Sequence, residues 1–263
     1  MTTANSQFQG QVVLAVFAHP DDESLAAGGT LARLADAGAH VVVMCATRGE
    51  CGSGLVDGGP TLARLRTREL QAAVECLGIQ ELVLLSHRDG DLRWSEMTHF
   101  TAELAHIIER RRPAAIITFD QDGLYWHPDH IGVHERVVAA VQPFGSDAPP
   151  VYGVTLEASL MIEAVESAVA GGWRAPTGGF WSLSPAIFGK YALPSTLVVD
   201  VSDWASRKAA AICVHETQMG ESHPFSDLSP ENARRWLGRE FFRRLEIPSN
   251  SSRLLESICT PTS

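Results

Sequence analysis

The sequence predicts an α/β fold: a Rossmann-like, doubly wound and mostly parallel sheet with helices on both faces and a less regular C-terminal third. Two observations support this prediction. Continuous apolar runs, typical of strands buried on both faces of a parallel sheet, recur through the first half of the 263-residue chain. Segments with apolar residues at helical spacing lie between these runs. Such an alternation is typical of parallel sheets with right-handed crossovers.

The elements follow in order along the chain. Apolar runs predict strands at 12–17, 41–46, 82–85, 114–119, 152–156 and 197–201. Helical spacing predicts helices at 30–37, 64–77, 100–111 and 205 to about 218. Gly38 and Gly78 stop the first two helices as natural C-caps, and Pro113 ends the third. The stretch 171–194 is rich in glycine, proline and aromatic residues, so we expect it to pack over an edge on the substrate side.

The composition favours one domain over residues 1–263, with a flexible N-terminus at 1–10. The formal net charge of −10, with one short basic run at 110–112, argues against nucleic acid and anionic membranes as partners. Five cysteines without a CxxC pair predict no disulfide framework. The first ten residues are polar and have neither the basic start nor the apolar core that is typical of a signal peptide, and no apolar run approaches the ~20 residues of a membrane helix. We therefore expect a soluble, cytoplasmic protein whose oligomeric state stays open.

Two polar motifs, AHPDDE at 18–23 and HPDH at 127–130, follow predicted buried strands. Strand ends of one polarity share an edge of a parallel sheet, and ligands bind at that edge. Zinc is held by nitrogen and oxygen donors and, in catalytic sites, keeps one position open for water. The motifs therefore predict one Zn²⁺ per chain, bound by His19, Asp22 and His130.

Alternatives to this ligand set remain open. His134 lies four residues after His130, and two helical histidines at that spacing commonly hold zinc. That pair, however, would leave His19 and Asp22 unexplained. Taken alone, His19 could be a satisfied histidine at the sheet edge, and Asp22 could be a helix N-cap.

Three further residues of the motifs have predicted catalytic roles. Asp21 can accept the proton of a metal-bound water as it attacks a carbonyl. His127 can stabilise the oxyanion and protonate the departing amine. Asp129 can orient an imidazole as an outer partner of the metal, although a helix N-cap near Ile131 is nearly as good an interpretation.

Together the two motifs resemble those of the PIG-L/LmbE family of zinc-dependent N-deacetylases, which includes the N-acetylglucosaminyl-inositol deacetylases of mycothiol synthesis. Other residues stand in the family's order: Thr47-Arg48-Gly49-Glu50, then Arg66 and Glu69, then Lys208, His215 and Gln218. The resemblance implies a zinc site made of His19, Asp22 and His130. It implies Asp21 as general base and His127 as acid or oxyanion stabiliser. It also implies that Tyr125 hydrogen-bonds the scissile carbonyl and that Arg66 holds a sugar hydroxyl.

The sequence departs from the mycothiol branch in two places. Trp126 stands where that branch has a glycine before the second motif, and the stretch 171–194 has no counterpart there. Both differences favour a bulkier substrate, with Trp126 lining the pocket or stacking on a sugar face.

The predicted function is removal of an N-acyl group, most often N-acetyl, from a small amino sugar or aminosugar conjugate. Two alternatives are an amidase on a thiol or glycopeptide conjugate and a non-catalytic sugar-binding protein on the same fold. An intact Asp21 argues against the latter, because a pure binder needs no base.

Overall fold

The computed structural model describes residues 7–52, 57–94, 98–220 and 222–260. Its strands are β1 (Val12–Phe17), β2 (His40–Cys45), β3 (Glu81–Leu84), β4 (Ala115–Phe119), β5 (Val151–Thr155), β6 (Leu197–Asp200), β7 (Arg239–Arg244) and β8 (Cys259–Thr260). They form one sheet in the order β3-β2-β1-β4-β5-β7-β6-β8. Strands β1 to β5 pair in parallel, whereas β7, β6 and β8 join in antiparallel fashion. The predicted mostly parallel, doubly wound sheet is confirmed.

The helices are α1 (Asp22–Asp36), α2 (Pro60–Leu77), α3 (Thr98–Arg111), α4 (Gly123–Trp126), α5 (Pro128–Val141), α6 (Ala158–Ala170), α7 (Ala205–Val214), α8 (Glu216–Met219) and α9 (Pro230–Leu237). The chain winds outward from β1 to β3 and then returns to β4 and β5 on the other side of β1. Right-handed crossovers in the two directions place α1 and α2 on one face and α3 and α5 on the other. Accordingly α7 packs on α1 and α2, while α3 packs on α5.

Strand β1 occupies the centre of the parallel part, paired with β2 on one side and β4 on the other. Its residues from Val13 to Phe17 are fully buried, as a continuous apolar run requires. The strand order reverses between β1 and β4, and the crevice at such a switch point is where open α/β sheets bind ligands. The two polar motifs follow the carboxyl ends of β1 and β4, and each runs from the loop into the first turn of the next long helix, α1 or α5.

Two predicted helices differ clearly from those in the structure, whereas α2 and α3 differ only at their first turn. Helix α1 begins at Asp22, whereas the sequence predicted a start at residue 30. The prediction began too late because Gly28 and Gly29 interrupt the apolar pattern, although both are helical and buried. The helix expected over 205–218 is divided into α7 and α8 at His215, whose backbone (φ −80°, ψ 54°) is not helical.

From α6 onward, four helices and strands were not predicted from periodicity: α6, α9, β7 and β8. In β7 only Glu240, Phe241 and Phe242 are buried, and the arginines around them hide the strand pattern. Helices α6 and α9 and the stretch 171–194 contribute to a second apolar cluster, which also contains Leu25 of α1. Trp181 and Phe188 are its members from the stretch 171–194.

Of the N-terminal segment expected to be flexible, residues 1–6 lie outside the described residues. Phe8, in contrast, is buried in the main core, and its amide donates to the Ala37 carbonyl at 2.9 Å. In the part of the chain that the structure describes, no helix is both long enough and apolar enough to cross a bilayer.

The two adjacent glycines of α1 give a matched test of its packing. A Cβ at Gly29 would lie 2.6 Å from Val201 Cγ2, whereas a Cβ at Gly28 would meet its nearest neighbours at 3.5 Å. We expect Gly29→Ala to lower the free energy of unfolding by about 1–3 kcal/mol through overpacking. Gly28→Ala should leave it unchanged or raise it by up to about 1 kcal/mol through helix propensity. Urea denaturation measures both, and equal stabilities of the two variants would contradict this packing.

Candidate active site

A cavity of about 460 Å³ lies at the carboxyl ends of the first four strands. Its lining includes residues that follow each strand: His19 after β1, Cys51 after β2, Asp89 after β3 and Tyr125 after β4. The far wall comes from the C-terminal third and consists of Gly179, Phe180, Leu183, Gln218 and Met219. The cavity therefore combines loops of the parallel sheet with the layer that covers it.

The three predicted metal ligands meet at one end of this cavity. His130 Nε2 lies 3.1 Å from Asp22 Oδ1 and 3.3 Å from His19 Nδ1, and Asp22 Oδ2 lies 3.4 Å from His19 Nδ1. A tetrahedral ion with bonds of about 2.0–2.1 Å holds its ligand atoms roughly 3.3 Å apart. The three donor groups are therefore spaced as they would be around one small cation.

Hydrogen bonds fix which nitrogen each imidazole presents. His130 Nδ1 donates to the Gly123 carbonyl at 3.2 Å, which leaves the lone pair of Nε2 free. His19 Nε2 faces two carboxylates at 3.1 Å, Asp129 Oδ2 and Asp89 Oδ1, so that nitrogen carries the proton and Nδ1 has the lone pair. Both free lone pairs lie on the side of Asp22, as the donor set of a metal requires.

Asp129 contacts the predicted ligand His19 and is itself held in place. Its carboxylate, which is fully buried, accepts the amides of Gly90 at 2.7 Å and Leu92 at 2.9 Å. The N-cap of α5 is His127, whose Nδ1 accepts the Asp129 amide at 3.2 Å. The orienting interpretation of Asp129 thus fits the geometry, and the helix-cap interpretation does not.

Two other groups of donor atoms come within 4.8 Å of one another: His19 with His127 and His130, and His19 with Asp89 and Asp129. The second group would use His19 Nε2. However, the two carboxylates there already accept backbone amides, including that of Cys51 on Asp89 at 2.8 Å. We therefore assign Asp89 and Asp129 to the outer side of His19.

His134 is separate from this cluster. Its Nδ1 donates to the carbonyl of Phe119 at 2.9 Å, so it closes the end of β4 rather than facing the cavity. The alternative pair of His130 and His134 finds no support in the geometry.

Asp21 lies beside the predicted ligands in an unusual conformation. Its backbone has φ 123° and ψ −28°. Residues other than glycine rarely adopt this conformation, which costs on the order of 1–3 kcal/mol. Burial raises the pKa of its carboxyl to about 6, although Arg66 opposes the rise. Asp21 is therefore ionised at neutral pH and is a stronger base than an exposed carboxylate.

Arg66, on α2, contacts Asp21 directly. Its Nη2 donates to Asp21 Oδ2 at 3.0 Å and to the Pro20 carbonyl at 2.6 Å, and Nη1 donates to the Gly49 carbonyl at 3.1 Å. Its buried Nε finds no partner among the described residues. Arg66 lines the cavity, but most of its donors are already used to hold the loop of Asp21.

His127 and Tyr125 form the wall beside the ligands. Burial and the neighbouring imidazoles of His130 and His19 lower the pKa of His127 to about 3, so its ring is neutral at pH 7. Because Nδ1 accepts the Asp129 amide, the proton lies on Nε2, which can donate a hydrogen bond. Burial raises the pKa of Tyr125, whose hydroxyl therefore stays protonated and can also donate.

Comparisons with known proteins identify the family of this chain. Residues 14–141 match the family profile described as "PIG-L: GlcNAc-PI de-N-acetylase". The 1D-myo-inositol 2-acetamido-2-deoxy-alpha-D-glucopyranoside deacetylase of Acidothermus cellulolyticus is 30% identical over 254 residues, 88% of this chain and 87% of that protein. The chain belongs to the PIG-L family. The family predicted from the two motifs is confirmed.

Solved structures share the fold of this PIG-L protein. An N,N'-diacetylchitobiose deacetylase from Pyrococcus horikoshii superimposes with a TM-score of 0.65 at 21% identity, over 93% of this chain and 87% of that one. The 4-carboxy-2-hydroxymuconate hydratase of Pseudomonas putida KT2440 gives 0.61 at 19% identity, over 89% and 96%. At such identities the likeness shows the fold alone.

Trp126 lies at the rim of the cavity rather than in its lining. It is 50% exposed, has φ 66°, and its ring lies edge-on to Tyr191, which is 56% exposed, at 5.7 Å between centroids. The flanking residues Tyr125 and His127 both line the cavity. This exposed pair of aromatic rings therefore stands beside the mouth.

Sequence reasoning missed Asp89, which lies 3.1 Å from His19 Nε2. Its position was nevertheless predictable from the strand-end argument, because Arg88-Asp89-Gly90 follows β3 at the same edge of the sheet. Gln218, which the sequence analysis named only as one of the residues in the family's order, lines the cavity.

The ligand assignment has a direct test. Removal of an outer partner of a metal ligand typically lowers metal affinity by ~10–100-fold. His130→Ala removes a ligand atom itself, so we expect it to lower metal affinity by at least this much. His134→Ala is the matched control on the same helix and should keep a full complement of metal. Metal analysis of both purified variants checks this, and loss of metal in His134→Ala alone would move the site to the other histidine.

Proposed function

We propose that this protein is a zinc-dependent N-deacetylase that hydrolyses the N-acetyl group of an aminosugar conjugate, with His19, Asp22 and His130 as zinc ligands. The observation that carries the proposal is the cluster of three donor groups within 3.4 Å of one another, with the strained Asp21 beside it in one cavity. The relative from Acidothermus cellulolyticus supports it, since its name describes deacetylation of an acetamido sugar.

The donor set fits zinc. Two imidazole nitrogens and one carboxylate, all at one end of an open cavity, match the three protein ligands of a catalytic zinc site. When bound there, zinc would polarise the acyl carbonyl and lower the pKa of water. The five free cysteines suit a reducing compartment, and we propose that the enzyme acts in the cytoplasm.

The residues around the cavity suggest how the amide is cleaved. Asp21 accepts a proton from the attacking water, since its carboxylate is ionised at neutral pH and lies at the cavity wall. The neutral His127 donates from Nε2 to the carbonyl oxygen as negative charge develops there, and the Tyr125 hydroxyl supplies a second donor. The proton held by Asp21 then passes to the amine nitrogen as the carbon–nitrogen bond breaks. The products are a free amine and acetate.

This assignment changes one predicted role. The sequence left His127 as both oxyanion stabiliser and acid, but an imidazole with a pKa near 3 holds no second proton to give at pH 7. We therefore propose that His127 acts as a hydrogen-bond donor and that Asp21 carries the proton in both directions. Asp129 supports the site by fixing His19 and by orienting His127 through its amide.

The rim of the cavity favours a substrate larger than a simple N-acetyl sugar. Trp126 and Tyr191 offer exposed aromatic faces, and Leu183 lines the cavity while remaining 36% exposed. Apolar faces of this kind cover the rings of sugars or of flat aglycones. We propose that the amide lies at the metal, with Arg66 near the sugar, and that the remainder of the conjugate lies over this rim.

The role of Asp21 can be tested by a single change. Asp21→Asn should keep its zinc but lose turnover by about 10²–10⁴-fold, because the amide cannot accept a proton. Asp203→Asn, at an exposed and distant position, is the control and should keep wild-type activity. Amine release from a panel of N-acetyl sugars and metal content are measured together. A variant that keeps more than about a third of the activity would remove Asp21 from this role.

The rim can be tested separately from the chemistry. Trp126→Gly suits the positive φ at this position and removes the exposed ring. For a bulky aminosugar conjugate we expect KM to rise while kcat stays near the wild-type value, because the lost contact is common to ground and transition states. A minimal N-acetyl sugar should be cleaved as before. Equal losses on both substrates would mean that Trp126 only supports the loop of His127.

A further inference from the structure

Asp21 cannot hold its conformation by local preference, since its φ of 123° is one that aspartate rarely adopts. Contacts with the surrounding structure must therefore fix the conformation of Asp21. Arg66 fixes its carboxylate by donating a hydrogen bond to Oδ2. On the side of the backbone, the Asp21 amide donates to Glu23 Oε2 at 3.1 Å.

Glu23 is in turn held by two donors on its other oxygen. His215 Nε2 lies 2.9 Å from Glu23 Oε1, and the Ser24 hydroxyl donates to the same oxygen at 2.6 Å. The side chains of Glu23 and His215 are 1% and 0% exposed. His215 stands where α7 ends and the chain turns into α8, so the break in this predicted helix brings the imidazole to the start of α1.

The pair of Glu23 and His215 is not needed to join α1 to α7. Lys208, also on α7, forms a buried ion pair with Glu240 at 2.6 Å, and Glu240 accepts the amides of Gly29 and Thr30 in the middle of α1. That second pair already connects the two helices through β7. The pair of Glu23 and His215 lies instead at the first turn of α1, directly behind Asp21.

The described lining of the cavity includes neither Glu23 nor His215. They therefore act on the reaction without lining the cavity: they hold residues of the site, and the charge of His215 also lowers the pKa of the Asp21 carboxyl. Resting on the proposed function of Asp21, we infer that Glu23 and His215 are positioning residues: Glu23 fixes the backbone of the general base, and His215 fixes Glu23. The carboxylate of Asp21 is thereby held between Arg66 and the predicted metal ligands.

Four variants test this inference. Glu23→Ala removes the acceptor of the Asp21 amide, His215→Phe removes the donor to Glu23, and His215→Gln restores an N–H donor at that place. A catalytic group displaced by ~1 Å can cost ~100-fold in rate, so we expect kcat to fall by about 10- to 100-fold in the first two, with KM and metal content near wild type. His215→Gln should recover part of the loss. Lys208→Met, which breaks the other buried pair, should lower stability but leave kcat within about twofold.

A double-mutant cycle separates positioning from general damage. If Glu23 acts through Asp21, then adding Glu23→Ala to Asp21→Asn should cost less than about twofold in kcat, because the group it positions is already disabled. A full further loss in that background would overturn the inference, and so would unchanged kcat in both Glu23→Ala and His215→Phe. Should Glu23→Ala fail to fold, His215→Phe enters the cycle in its place.

A crystal structure of the single variant gives a readout that does not depend on the substrate. In Glu23→Ala, or in His215→Phe if that is the variant that folds, we expect Asp21 to leave its positive φ and its carboxylate to lose the contact with Arg66. A wild-type enzyme that releases no amine from any sugar tested would overturn the proposed function, and this structure would still decide the positioning role. Asp21 unchanged in the variant would overturn the inference whatever the activity.

Discussion

The site depends on one constraint, which is that His19 must present Nδ1 toward Asp22 and His130 while Nε2 faces Asp129. A ring rotated by 180° about its Cβ–Cγ bond would put Cδ2 in the place of Nδ1 and Cε1 in the place of Nε2, so a carbon atom would face the other two ligands. Asp129 prevents this because its carboxylate is fixed by the amides of the loop after β3. That loop can approach only because Gly132 has no side chain, since a Cβ there would lie 2.6 Å from the Leu92 carbonyl oxygen.

A second constraint is the crowding of carboxylates at the start of α1. Asp21, Asp22 and Glu23 are consecutive, and each has a different partner, so their charges are separated in space. Asp22 turns to the two imidazoles, Glu23 to His215, and Asp21 to the guanidinium of Arg66. Asp22 and Glu23 also lie in the first turn of α1, where the helix dipole favours negative charge. The strained backbone of Asp21 is what allows three neighbouring side chains to point in three directions.

Much of the fold could be predicted because parallel strands that are buried on both faces have continuous apolar sequences, as in β1 and β4. The location of the motifs followed from the rule on strand ends. What escaped prediction depends on contacts between distant parts of the chain. Strand β7 has arginines at positions where a buried strand would be apolar. One of them, Arg243, forms an ion pair at 2.6 Å with Asp120 in the loop after β4. Likewise the approach of His215 to Glu23, across 192 positions in sequence, has no local signal.

The cavity is assembled from two parts of the chain. The strand-end loops supply the groups that would act on an amide, whereas the C-terminal layer supplies Phe180 and Leu183 at the far wall. Tyr125 joins the two parts, since its ring lies 5.4 Å from that of His130 and 5.8 Å from that of Phe180. We expect a change at Phe180 or Leu183 to alter the reach of the cavity, and a change in the loops to alter the groups that act on the amide. This division explains physically how a deacetylase and a hydratase can share this fold, because the function lies in the site and not in the scaffold.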